Sequence, residues 1–386
     1  MKNFLFITNF YKPEIGAASH RISTLVSRLL KDGYKVYVFT VWPLFGNDNN
    51  YKILERKTNI IILRLPLFRT TSKNIFLRTI SMLNFSIYLI LFVPFFLILN
   101  IKNVFIQGHP LISSFFAVVI FKIMKKNIVL NVSDLWPKSG LDLGIFKKGI
   151  FYNFLKKIER FNYLNSNIII TQSAESKNYI IDRFSFDKES IGTFYNVPQS
   201  NQGYDKNLSP NNTKLIYAGL LGHAQDILSI CRNLDIKYEN FEFHIYGEGS
   251  QRKEIEKIAS RNPHIILHKF VNKKELNKIL SHFDLALVSL KDKIHGALPS
   301  KIFEYMNHKI PIIFIGDGEG KEIIKKYNLG WTFKSDDYKK MNIFLNSSDF
   351  KSQNTIRMQK DINNTLINFF SYEKQYKNFI KLVDTL

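Results

Sequence analysis

The segment 296–306, GALPSKIFEYM, combines the residue types best suited to chemistry in this chain. Pro299 suits the first position of a helix, and the free N–H groups of such a turn bind phosphate. Ser300 lies in the same turn, and Lys301 adds a point charge to the same anion. Glu304, about one turn further on, could accept two hydrogen bonds from vicinal hydroxyls such as those of a ribose. A solvated lysine and a glutamate that complements a helix dipole would look the same. Spacing alone does not separate the two readings.

Two glycine turns resemble each other in placement. Gly219-Leu220-Leu221-Gly222, followed by His223, closes one strand-like run and precedes a helix. Tyr246-Gly247-Glu248-Gly249-Ser250 does the same in the next unit. Small residues there let backbone N–H groups approach a phosphate at a helix N-terminus. Gly16, in KPEIGAASHR, offers a third such turn, for which an ordinary strand-to-helix turn is the plainer reading. Gly316-Asp317-Gly318-Glu319-Gly320 has the wrong spacing for a dinucleotide fingerprint and reads as a structural turn. Asp134, in VSDLWP, closes a strand where a carboxylate could act as a base or orient a hydroxyl. An Asx-turn aspartate fits equally well. His109, before Pro110, is a lone histidine, more commonly a hydrogen-bonding residue of the framework.

Several chemistries are missing. There is no GxxxxGK[ST], no HExxH and no Asp-x-Asp, and the nine histidines show no metal-ligand spacing. The single cysteine, Cys231, excludes a disulfide framework and a cysteine zinc site. The expectation is chemistry without a metal and without a bound cofactor.

The elements that must carry these residues alternate between strand and helix. In the first half the strand-like runs are 3–8, 35–41, 59–65, 104–107, 127–132 and 167–171. Helical stretches lie at 18–31, 73–99, 111–124, 147–163 and 174–183. Residues 198–213 are polar, rich in Asn and Pro, and have the composition of a linker. The alternation then restarts with strands at 214–218, 241–246, 265–268, 285–288 and 310–315. Helices at 225–234, 251–261, 273–281, 299–307 and 319–327 separate them, and helices at 351–370 and 372–386 close the chain. The pattern predicts two doubly wound α/β domains with parallel sheets, facing across a cleft that is the expected ligand site. The domains would be 1–197 and 214–371, with the last helix, 372–386, returning to the first.

The 386 residues carry a formal net charge of +22. Residues 1–196 hold 26 Lys/Arg and 11 Asp/Glu, a net of +15, and the remainder 28 and 21, a net of +7. Excess charge in the first half points to an acidic partner there. Residues 79–101 carry no charge and could span a bilayer by length. Strand-like runs on both sides require the segment to begin and end on one side, which favours a buried or membrane-lying helix. Arg64, Arg69, Lys73 and Arg78 precede it. Residues 146–165 form a basic amphipathic helix, with Ile150, Phe151, Phe154, Leu155, Ile158 and Phe161 as its stripe. No nucleic-acid-binding motif occurs.

At these residues the chain resembles glycosyltransferase family 4, retaining sugar-nucleotide transferases of the GT-B fold. NFYKPEIGAASHRISTLVSRLLKDGYKVYVFT matches the family's opening, including Pro13, Glu14, Gly16 and Arg21. VSDLWP is similar to a subgroup acting on amino-deoxy sugars of bacterial surface polysaccharides. YAGLLGHAQD, FHIYGEGSQRKEIE, FVNKKELNKILSHFDLALVSL and GALPSKIFEYMNHKIPIIF match the donor-binding half in order and spacing. Three positions depart from the pattern. Gly296 stands eight residues before Glu304, where the family often has a first Glu. Leu220 to Gln225 contains no Arg or Lys, so His223 and Lys301 are the nearest cationic substitutes. Ala17 replaces the second glycine of the opening pair.

The resemblance implies a donor site of Gly16, Gly219, Gly222, His223, Gly247, Gly249, Pro299, Ser300, Lys301 and Glu304, with Asp134 and His109 near the reacting hydroxyl. The implied donor is a nucleotide sugar, UDP-linked and carrying an N-acetylated amino sugar. The implied acceptor is a polyprenyl-diphosphate-linked saccharide of O-antigen or capsule synthesis, met at the cytoplasmic side of an anionic inner-membrane surface. A GT-B epimerase or hydrolase, and a non-catalytic basic module binding membrane or nucleic acid, are the competing readings.

Overall fold

The computed structural model describes residues 3–14, 16–43, 52–66, 75–145, 147–199, 212–237, 239–291, 294–347 and 353–386. Arg69, Lys73, Phe146 and most of the expected linker (200–211) lie outside the described residues. The chain divides into two compact units, Met1–Asn196 with Gln375–Leu386, and Val197–Lys374.

The first unit runs β1 (Asn3–Ile7), α1 (Ala17–Lys31), β2 (Lys35–Val41), β3 (Leu54–Lys57), β4 (Ile60–Leu65), α2 (Ile75–Leu91), α3 (Val93–Ile98), β5 (Asn103–Gln107), α4 (Leu111–Ile123), β6 (Asn127–Val132), α5 (Lys138–Asp142), α6 (Ile150–Leu164), β7 (Ile168–Thr171), α7 (Ala174–Phe184) and β8 (Ile191–Thr193). The sheet order is β3-β4-β2-β1-β5-β6-β7-β8. All pairs are parallel except β3 with β4. Helix-covered parallel strands are buried on both faces, which is why β1, β6 and β7 read as nearly unbroken apolar runs.

The expected helix at 73–99 is two helices, α2 and α3, which meet at Phe92. Pro94 lies in the first turn of α3, where its missing N–H costs nothing. Phe85, Leu89 and Phe96 are buried on the sheet side, where Phe39 meets the rings of Phe85, Phe92 and Phe96. Ile87, Ile90, Leu91, Leu97 and Ile98 are exposed. Among the described residues no helix is long and apolar enough to cross a membrane.

The second unit runs β9 (Thr213–Ala218), α8 (Ile227–Asn233), β10 (Phe241–Tyr246), α9 (Arg252–Ala259), β11 (Ile265–His268), α10 (Lys273–Leu280), β12 (Leu285–Ser289), α11 (Lys301–Asn307), β13 (Ile312–Ile315), α12 (Glu319–Lys326), β14 (Gly330–Phe333), α13 (Tyr338–Asn346) and α14 (Gln353–Phe369). Its sheet, β11-β10-β9-β12-β13-β14, is parallel throughout. This is the doubly wound order with its reversal between β9 and β12.

The last helix, α15 (Tyr372–Val383), belongs to the first unit from Gln375 onward. Phe379 packs against Phe4, Phe105 and Phe194 at 6.3, 6.4 and 6.2 Å between ring centres. The Tyr376 hydroxyl donates to Asp32 at 2.7 Å, and the Arg28 guanidinium lies 4.5 Å from the Tyr376 ring. Phe379→Ala removes a fully packed ring and should destabilise the first unit by about 3–5 kcal/mol. Chemical denaturation followed by circular dichroism checks this, and a loss below about 1 kcal/mol would contradict the packing.

Candidate active site

In the second unit the reversal point lies between the carboxyl ends of β9 and β12. The turn after β9 is tied to the segment after β12 by the Lys291 amide donating to the Ala224 carbonyl at 2.8 Å. The Lys291 ammonium also lies 3.5 Å from Asp226. In such sheets the crevice outside these strand ends is where ligands bind.

The two glycine turns pack directly on each other. The Gly219 amide donates to the Tyr246 carbonyl and the Leu221 amide to the Glu248 carbonyl, both at 2.9 Å. The Gln251 amide returns a bond to the Leu221 carbonyl at 3.0 Å. A Cβ on Gly247 would lie 2.0 Å from the Gly219 carbonyl oxygen. One on Gly249, whose φ is +156°, would lie 2.3 Å from that of Leu221. Close approach of two backbones is therefore what these glycines permit, and it makes the two turns one surface. Gly222 closes the first turn, its carbonyl accepting from the Asp226 amide at 3.1 Å, and His223 beside it is exposed.

Helix α11 begins at Lys301, with Ser300 as its N-cap, so Pro299 precedes the helix instead of opening it. The Pro299 carbonyl accepts from the Ile302 amide at 3.2 Å in a tight turn leading into the helix. The Ser300 side chain makes no cap bond. Tyr305, fully buried, accepts from the Ala218 amide at 3.0 Å and anchors α11 to the end of β9. Lys301 donates to Glu304 at 2.5 Å. Burial pushes the Glu304 carboxyl up, but Lys301, Lys273 and His308 together hold it below the usual range. Lys273, at the start of α10, shares this field: burial lowers its ammonium pKa and Glu304 partly restores it. Sequence reading passed over Lys273, because only the fold brings α10 toward α11.

In the first unit the reversal lies between β1 and β5, and Thr8, Asn9, Gln107 and His109 line a small cavity there. Burial holds His109 below the ordinary histidine value, with Asp134 opposing, so the ring is neutral near pH 7. Its Nδ1 is buried without a hydrogen-bond partner, and the ring stands edge-on to Trp136 at 5.5 Å. Asp134 is exposed at the end of β6. Buried Arg21 on α1 donates to Ser133 at 3.1 Å, and Gln107 donates to the same hydroxyl at 2.8 Å. Burial lowers Arg21 to about 10, with Asp134 opposing. Arg21 thus joins Asp134 and His109 as a charged neighbour. Its signal in the sequence was its place in the opening segment that resembles family 4, five residues after Gly16, which is the exposed N-cap of α1. Among the described residues no group of His, Cys, Asp and Glu could hold a metal ion.

The structure thus collects Gly219, Gly222, His223, Gly247 and Gly249 on one surface of the second unit. It sets Ser300, Lys301 and Glu304 on the helix anchored beside it. Gly16, His109 and Asp134 lie at the strand ends of the first unit. Gly249→Ala should force the two turns apart, lower the melting temperature and weaken any ligand of that surface at least tenfold. Differential scanning fluorimetry with and without ligand reads both effects. A variant indistinguishable from wild type would refute the packing argument.

Residues 213–343 match the family Glycosyl transferases group 1. No curated protein matches the chain in sequence. Among solved structures it is similar to a sucrose-phosphate synthase (tll1590) from Thermosynechococcus elongatus, at 12% identity and TM-score 0.78, covering 100% of this chain and 99% of that one. It is also similar to Anabaena Alr3699/HepE in complex with UDP and glucose, at 12% identity and TM-score 0.71, with both chains fully covered. WaaG, a glycosyltransferase involved in lipopolysaccharide biosynthesis, aligns at 12% identity and TM-score 0.67 over 97% of this chain and 98% of that one. Two Rossmann-like, mainly parallel sheets with these neighbours are the GT-B fold. The second unit carries a glycosyl transferases group 1 domain on that fold, and the chain is a glycosyltransferase.

Proposed function

We propose that the chain transfers a sugar, an N-acetylated amino sugar, from a UDP-sugar to a polyprenyl-diphosphate-linked saccharide, with retention of configuration and without a metal. The observation that carries this reading is the Lys301–Glu304 pair on α11, anchored by Tyr305 to β9 beside the glycine turns. Glu304 stays ionised because Lys301, Lys273 and His308 outweigh its burial, so its oxygens can accept from the two ribose hydroxyls. Lys301 turns to the diphosphate, joined by backbone N–H groups near Gly222 and Ser300 and by His223. Charge developing on the leaving UDP is stabilised by these donors in place of a metal. The HepE structure with UDP and glucose offers an analogy for such a donor.

The acceptor hydroxyl attacks the anomeric carbon on the face that UDP leaves. The new C–O bond forms as the carbon–diphosphate bond breaks, and the hydroxyl proton passes to the leaving phosphate oxygen. Asp134 orients the hydroxyl, and Arg21 keeps a positive charge beside that carboxylate. His109, neutral near pH 7, contributes a hydrogen bond and no charge.

A screen of nucleotide sugars should show thermal stabilisation by UDP-sugars. Glu304→Ala should raise the UDP-sugar Kd about tenfold or more, the weight of a charged hydrogen bond. Because the Glu304 carboxyl titrates below its ordinary value, its own contribution to donor affinity should be complete above about pH 5 and be lost only under more acid conditions. Unchanged affinity in Glu304→Ala would refute the ribose role, and sugar turnover without any acceptor would make the chain a hydrolase or epimerase.

The acceptor's lipid anchor places the first unit at an anionic inner-membrane surface, making the protein peripheral and cytoplasmic in O-antigen or capsule synthesis. Support comes from the sequence and from side-chain exposure together. No Asp or Glu occurs between Glu55 and Asp134. On α6, Glu159 is fully buried and paired with Lys156 and Tyr163, leaving Lys157 and Arg160 as its exposed charges. Ile150 is 91% exposed and Phe151 60%, with Phe154 exposed beside them. On neighbouring α4, exposed Ile123 lies between exposed Lys122 and Lys125. Apolar side chains framed by cations suit an anionic interface. The protein should sediment with vesicles containing phosphatidylglycerol at low salt, and less at 0.5 M salt. The double variant Phe151→Ser, Phe154→Ser should lower that fraction severalfold while keeping donor binding; equal sedimentation would refute the surface.

A further inference from the structure

Helices α2 and α3 are apolar on two sides. Phe85, Leu89 and Phe96 are buried against the sheet. On the other side, every exposed position from Leu83 to Ile98 is apolar. Leu83, Ile87, Ile90 and Leu91 follow the i, i+4, i+7, i+8 spacing of one helix face. Leu91 is 65% exposed, Leu97 64% and Ile98 82%. A helix that is apolar all round is ordinarily buried all round, and a contiguous exposed apolar patch marks an interaction site.

Charge says what covers this patch. The α3 end of the stripe lies against the end of α4, where the rings of Phe96 and Phe121 meet at 5.2 Å. Exposed Lys122 and Lys125 follow Phe121. Exposed Lys102 is held nearby through its carbonyl, which accepts from the Asn127 amide at 2.9 Å. No Asp or Glu occurs between Glu55 and Asp134 to offset these lysines from within the segment. An apolar stripe rimmed by cations complements anionic headgroups lying over hydrocarbon. A second copy of this chain fits it badly. A two-fold interface centred on the stripe would bring two sets of lysines to one rim, with no carboxylate of α2, α3 or α4 between them.

The backbone suits the same partner. Hydrocarbon offers no hydrogen bonds, so a segment that enters it must satisfy its own N–H and C=O groups. The join between α2 and α3 keeps helical bonds: the Phe92 amide donates to the Tyr88 carbonyl and the Phe96 amide to the Phe92 carbonyl, each at 3.0 Å. Pro94, in the first turn of α3, brings no N–H to satisfy. The segment leaves β4 and returns to β5 of the same sheet, so it lies along one leaflet and does not cross.

We propose that the exposed side of α2 and α3 inserts among the acyl chains of one bilayer leaflet, while Lys102, Lys122 and Lys125 meet the headgroups at its rim. This rests on the membrane reading of the first unit given above, and adds to it a contact made by apolar burial alone. The two contributions are separable, because salt screens exposed cations and does not weaken apolar burial.

The test uses the full chain and vesicles of phosphatidylcholine with phosphatidylglycerol. Part of the protein should still sediment with them at about 0.5 M salt, where exposed charges are largely screened. The double variant Leu97→Ser, Ile98→Ser should lower that high-salt fraction severalfold. Both side chains are mostly exposed, so the fold should stand, and thermal melting checks it. Lys122→Gln with Lys125→Gln should instead lower the low-salt fraction and leave the high-salt one in place. For depth, Ile98→Cys takes an environment-sensitive fluorophore, the one other thiol, Cys231, being buried. Its emission should shift to the blue on vesicles, and a spin label in the acyl chain should quench it more than one on the headgroup. Low-salt binding with an unchanged high-salt fraction in the serine variant, or quenching at headgroup level only, would overturn the insertion and leave the membrane reading standing. A dimer in solution that the serine variant abolishes would overturn it in favour of a second copy. Absence of sedimentation at every salt concentration would sink the membrane reading and the insertion with it.

Discussion

Parallel pairing is the constraint on which the rest of this molecule depends. In a parallel sheet every strand ends at the same edge, so every turn that follows a strand faces the same way. β9 lies between β10 and β12, and the chain winds outward from it in both directions. That arrangement puts the turns after β9, β10 and β12 at one edge, although Ala218 at the end of β9 and Ser289 at the end of β12 are far apart in sequence. The same holds for β1 and β5 in the first unit, where Thr8 and His109 meet around a cavity. No individual side chain creates these sites; the strand order does, and the side chains then differentiate them.

Charge inside such an edge has to be balanced locally. Glu304 is mostly buried, yet it stays ionised because three cationic or cation-forming groups surround it. Glu159 meets the opposite outcome. Burial raises its carboxyl in spite of Lys156 and Tyr163, so its partners only limit the cost. The difference follows the number of positive neighbours, since desolvation acts on both and Glu304 has more of them. A carboxylate kept charged at a strand-end edge is prepared to accept hydroxyl protons. One whose carboxyl burial raises within a helix packing layer serves the framework.

The sequence made the strand–helix alternation and most strand positions legible, because helix-covered parallel strands are continuous apolar runs. It hid β14, whose four residues are all only partly buried and begin with Gly330, a residue packed against the Ile312 backbone. It hid β3, a polar edge strand folded onto β4 by a two-residue turn, and the short elements α5, β8 and α13. Pro299 looked like a helix opener because its type favours that position, but the tight turn to Ile302 delays α11 by two residues. Gly247 and Gly249 were legible as a turn, and their purpose was not. A phosphate-facing backbone and a backbone-on-backbone contact demand the same residue, and only coordinates separate them. Arg21 and Lys273 come to their partners across long sequence separations, which spacing does not encode.

Gly296 shows how far a departure from a familiar pattern is built into the backbone. The resemblance to family 4 would put a glutamate there, eight residues before Glu304. Its φ is +77°, in the left-handed region that only glycine adopts without strain. A glutamate at this position would therefore carry backbone strain that glycine does not. The charged groups in place around Glu304 are Lys301 beside it and Lys273 from a separate strand–helix unit. In the donor reading proposed above, one carboxylate surrounded by cations holds the hydroxyl end of the donor while the cations meet its diphosphate. Two carboxylates in the same space would repel each other and compete for those same cations. In this chain the single glutamate and the glycine that precedes it are thus parts of one arrangement, and neither is explained without the other.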